Sequence, residues 1–179
     1  MSKANSEALL RSLMREFFQT ETSAVQHCRR EALRYGDAPP AAALLAVAED
    51  AGQVLRKLPA LAESTGLPVS RLGALTGAFF SEVRERVFDR LLPSERSYRG
   101  TLLGIRHGID LVTSLRYVAE SLGNESLFDF CEGWLTRRTI LMNHVEEELA
   151  WFARHPQRAL VAARASVNWA QRDASQGAN

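Results

Sequence analysis

The sequence predicts an all-α protein, an antiparallel up-and-down bundle of five or six helices. Apolar residues recur at helical spacing over long stretches, and the breaks between stretches are a few residues of Gly, Pro or Asn. No alternating β-branched run of strand length occurs. Short connections between long helices imply antiparallel neighbours, and a helix of 30 residues is about 45 Å long.

Segment one runs from about Ser6 to Tyr35. It stops at Gly36, which suits a left-handed closing residue, and at Pro39 and Pro40, which start a helix but cannot continue one. Segment two runs from about Pro40 to Ser64 with Pro59 as an expected kink. Segment three covers about Val69 to Leu92 and is closed by Pro93. Ser94 as N-cap and Glu95 as first-turn acid open segment four, which runs to Leu122. Gly123 and Asn124 form the next stop and start, and segment five runs from Glu125 to about His155. A weaker helix is expected from Gln157 to Gln171, with a frayed tail to Asn179. No internal repeat and no linker divides the chain, so residues 1–179 are read as one domain.

Composition excludes several classes. The 179 residues carry 22 Lys+Arg against 21 Asp+Glu, a formal net charge of +1 that argues against a general polyanion binder. No apolar stretch approaches membrane-spanning length. Cys28 and Cys131 form no CxxC, and no secretory signal opens the chain, so reduced, buried thiols in a cytoplasmic protein are expected.

Charges interrupt the apolar faces, and these are the candidate functional residues. At 100° per residue, segment one turns Leu10, Met14, Phe17, Glu21, Ala24, Cys28 and Ala32 inward, with Glu21 near the middle. Segment five turns Leu127, Cys131, Trp134, Arg138, Val145, Glu148 and Phe152 inward, with His144 one turn before Glu148. Segment four is apolar almost all round, which predicts a central helix and at least partial burial of Arg106, His107, Asp110 and Arg116. Its Gly100, Gly104 and Gly108 predict a smooth strip for tight helix packing. Segment two presents Leu44, Val47, Ala51, Val54 and Leu58, with Glu49 and Asp50 pointing away.

A buried carboxylate must find a cation, a metal or a proton. A di-iron or di-manganese site needs about four carboxylates and two histidines, commonly with Glu-x-x-His on two helices. That motif is absent. Its reverse occurs as His107 with Asp110 and as His144 with Glu147. The preferred alternative pairs Glu21 and Glu148 with Arg116 and Arg138 as interior salt bridges, because forked guanidinium donors suit such pairs and segment two brings no ligand.

Two other features have ordinary explanations. Leu61 to Leu75 resembles a helix-turn-helix, with Ala62, Gly66 and Leu72 at suitable offsets. Thr65 stands where an apolar residue is usual, and only Ser70 and Arg71 would face DNA, so nucleic acid is not the expected partner. Trp151, off the main stripe beside His144 and Ile140, is read as core or interface material, with a dimer contact as the interface it would mark.

Residues 107–123, with Tyr117 and the pair Leu122 and Gly123, followed by Leu127 to Phe152 with its adjacent glutamates, resemble the terminal helix pair of ferritin-like bundles. Within that group the same run resembles YciF-type stress-response proteins. The resemblance implies a ferritin-like core, a dimer, and a carboxylate-bridged di-metal site. It would place Glu21 at the ligand position of the first helix, and His144 with Glu147 or Glu148 at those of the last. His107 then replaces an expected acid, and Arg116 and Arg138 bring positive charge inside.

The expectation is a non-catalytic helical bundle with no cofactor, acting by association with itself or with a protein partner. The alternative is a di-iron or manganese protein handling oxygen, peroxide or iron.

Overall fold

A computed structural model describes residues 3–65 and 92–161. Helices α1 (Lys3–Ala32), α2 (Pro39–Ser64), α3 (Ser94–Ser121) and α4 (Glu125–Glu147) are long, and α5 (Leu149–Arg154) and α6 (Pro156–Ala159) are short. Among the described residues no strand forms. None of the described helices is long and apolar enough to cross a membrane. Segment three, the helix-turn-helix resemblance beyond Thr65, and the stretch after Val161 lie outside the described residues.

The breaks fall where local chemistry puts them. Gly36 (φ +58°) and Gly123 (φ +65°) take the left-handed conformation that closes a helix. The Asn124 side chain caps α4 by accepting a hydrogen bond from the Leu127 N–H at 3.1 Å. Prolines occupy the first turn of α2, and the helix continues past Pro59.

Two local expectations need correction. Pro93, not Ser94, precedes the first turn of α3. Ser94 instead gives its N–H and its hydroxyl to the Val161 carbonyl, each at 2.9 Å, tying the chain after α6 to the start of α3. The expected single helix from 125 to 155 is also interrupted. At Glu148 the ladder tightens, with the Trp151 N–H donating to Glu148 O at 3.0 Å, and α5 sets off anew.

The core forms two apolar clusters. One joins Cys28 and Ala32 of α1, Ala41 to Ala48 of α2, Tyr98 to Ile105 of α3, Val145 of α4 and Phe152 of α5. The other joins Leu10 to Phe17 of α1, Val54 to Leu61 of α2, Leu111 to Ala119 of α3 and Leu127 to Trp134 of α4. Trp151 belongs to the first cluster at 7% exposure, stacked on His155 at 4.5 Å. Of the two roles read for it, core and interface, it takes the core one in this chain. Helix α3 is less central than its composition predicts. Leu102, Ile105, Val112 and Leu115 are buried, but Leu103 is 68% exposed.

Candidate functional site

Between the two apolar clusters lies a polar layer. Glu21 of α1, Asp50 of α2 and Arg138 of α4 all fall in the stretch of helix that separates the clusters, with Gly108 at the matching level of α3. Arg138 is 1% exposed. Its Nη2 donates to Glu21 Oε2 at 2.8 Å and to Asp50 Oδ2 at 3.1 Å, and its Nε donates to Asp50 Oδ2 at 3.3 Å. The guanidinium also lies 4.6 Å from the Trp134 ring centre. Arg137, half exposed, reaches the other Asp50 oxygen at 3.4 Å. Two guanidinium groups thus face two carboxylates, and the layer is close to electroneutral.

Glu21 carries the electrostatic cost. It is fully buried, and burial pushes its pKa above 4.5 even though Arg138 favours its charged form. Glu21 Oε1 and Trp134 Nε1 are both sealed and without a hydrogen bond.

The expected partners divide. Glu21 and Arg138 meet, but Arg116 and Glu148 do not join them. Arg116 leans outward to Glu132 at 2.9 Å, flanked by the rings of Tyr117 and Phe128. At the helical rise it sits about 12 Å along α3 from the level of Gly108. Glu148 lies ten residues beyond Arg138, about 15 Å along the axis, half-buried near Tyr98. Among the described residues it makes no ion pair. Asp50, read as pointing away, takes the place they leave empty. It stands about a quarter turn from the centre of the α2 stripe, close enough for a long arginine to reach.

The proposed metal ligands are not gathered either. His144, Glu147 and Asp110 are exposed. His107 is also exposed and faces Glu16 at 3.3 Å instead of Asp110. Glu21 commits one oxygen to Arg138. Among the described residues no group of three or more His, Cys, Asp or Glu side chains is arranged to hold a metal. Among the described residues, Glu21, His107, Asp110, His144, Glu147 and Glu148 do not converge on one site.

A second buried polar cluster escaped the sequence reading. Glu31 is fully buried beside Arg34, which also donates to Ser97 Oγ at 2.7 Å. The Tyr35 hydroxyl lies 2.6 Å from Glu31 Oε1 and 2.9 Å from the Ser94 carbonyl. Burial and the Glu31 charge push the Tyr35 pKa well up. The signal was present, since Glu31 follows Cys28 by three residues on the face that carries Glu21.

A groove runs between α1 and α3, with a cavity volume of about 560 Å³. Thr20, Ser23, Ala24 and Cys28 line one wall, Gly100, Gly104, Ile105 and Gly108 the other, and Arg138 reaches it from below. The glycine strip is a packing seam only at Gly108, where an added Cβ would meet Thr20 Cγ2 at 3.4 Å and Trp134 Cη2 at 3.6 Å. At Gly100 and Gly104 it would meet nothing within 4 Å. Compared with protein-family models, with curated proteins and with solved structures, the chain matches none.

Proposed function

We propose that this chain is a non-catalytic helical-bundle protein that acts by associating with a second copy or a protein partner, its polar interior serving to set helix register. The observation that carries this reading is the Glu21–Arg138–Asp50 layer, in which interior acids are neutralised by arginine within the chain. Such a layer contributes little net stability, because desolvation offsets most of the attraction, but it penalises any sliding of one helix past another.

The same reading includes an antiparallel, ferritin-like arrangement. The end of α1 shares a cluster with the starts of α2 and α3 and the end of α4. That grouping supports α1 and α4 running one way and α2 and α3 the other. The resemblance of residues 107–123 and 127–152 to ferritin-like bundles implies the same arrangement.

The metal-bearing alternative has one favourable observation, the unpartnered, sealed Glu21 Oε1. Metal analysis and light scattering on untagged protein, from cells grown with and without added iron and manganese, separate the two. We expect substoichiometric metal under both conditions and a mass above that of one chain, alone or with a co-purified protein. About two metals per chain would overturn the reading, as would a metal-free monomer that takes up no partner.

A further inference from the structure

We propose that the groove between α1 and α3 binds a small organic monocarboxylate through the free Nη1 edge of Arg138.

Two observations carry this independently. The first is the groove itself. Gly100 and Gly104 are exposed helical glycines with open space where a side chain would stand. Each costs helix stability relative to alanine, and neighbouring helices do not require that loss. What the two glycines do is keep one wall of the groove low. Its volume of about 560 Å³ falls within the range of small-molecule sites.

The second is the state of Arg138. Its Nε and Nη2 are committed to Asp50 and Glu21. Its Nη1 has no partner among the described residues, and it is not sealed as Arg116 Nε is. Arg138 is 1% exposed overall and lines the groove, so Nη1 is the edge it offers there. The group is already oriented, held by two carboxylates and stacked on Trp134. A ligand that meets it therefore spends little on ordering it.

Guanidinium is a donor only, so its free edge calls for an acceptor, and a carboxylate fits it best. Around the groove Arg15 offsets Glu16, so the Arg138 guanidinium is the charge a ligand would meet there. A single charge suits the site better than two, because Glu21 and Asp50 stand directly behind the guanidinium. The body of the ligand would lie against Ala24 and the bare glycine backbone, with Cys28 and Ile105 buried beneath them, a floor that favours a short aliphatic chain.

Octanoate is a suitable probe, titrated into the full chain by calorimetry beside 1-octanol and octylamine. The variant of choice is Gly104→Leu, which occupies the groove from an open, exposed helix position, leaves Arg138 untouched and improves helix propensity. Circular dichroism and thermal melting establish that the variant folds. The expected result is saturable octanoate binding at one site per chain, at least about tenfold weaker in Gly104→Leu and for both uncharged and cationic analogues. Absence of saturable binding would overturn the proposal. So would equal affinity in folded Gly104→Leu, which places the ligand elsewhere, or equal affinity for 1-octanol, which leaves Arg138 no part in recognition.

Discussion

Arg138 is the residue on which the interior depends. Removing one member of a buried ion pair strands the other, so Arg138→Met should lower stability by about 3–5 kcal/mol in urea unfolding. Adding Glu21→Leu should recover part of that loss, because the stranded charge is gone. A double variant no more stable than Arg138→Met would mean that Glu21 is not the partner that matters. Glu21 also makes stability depend on pH. Burial raises its folded-state pKa above 4.5, so folding takes up a proton. The stability tied to this group is fully present below about pH 4.5 and is lost as pH rises through the folded-state value. Glu21→Gln does not titrate, so its melting temperature should gain on the parent's as pH rises above 4.5. A difference that stays flat with pH would show that Glu21 does not titrate in this range.

At the scale of the helices, stability turns on ends and glycines. Asn124→Ala removes the cap of α4 and should cost about 1 kcal/mol in chemical denaturation. Gly100→Ala and Gly104→Ala should each stabilise by up to about 1 kcal/mol, since the new methyl meets open space. Gly108→Ala should gain at least as much, because its Cβ would make ordinary van der Waals contact with Thr20 at 3.4 Å and Trp134 at 3.6 Å. A loss of stability at Gly108 alone would mean that the α1–α3 contact there is tighter than these distances imply. Helix boundaries were readable wherever the stop is a backbone preference, as at Gly36, Gly123 and Asn124. The break at Glu148 was not readable, because nothing local in the run from His144 to Phe152 forbids a helix. It accompanies the burial of Trp151 and Phe152 beside Tyr98, contacts made between distant parts of the chain.

For the molecule as a whole, the two thiols report on the intact core. Cys28 and Cys131 lie in different apolar clusters, each buried, with burial pushing each pKa up to about 12. Neither should react with a disulfide reagent at pH 8 in the native state, and both should react once guanidinium unfolds the chain. Rapid native labelling of either would show that its cluster opens. The helical class, the inward positions of Glu21, Arg138 and both cysteines, and the left-handed closures were legible in the sequence by itself, because helical periodicity and glycine geometry are local properties. Which charges would meet was decided only in three dimensions. Periodicity assigns a residue to a face, but partners must also share a level along the bundle axis. Arg116 and Glu148 occupy inward faces about two or three turns away from the layer, whereas Asp50, on the margin of its helix, stands level with Glu21 and Arg138.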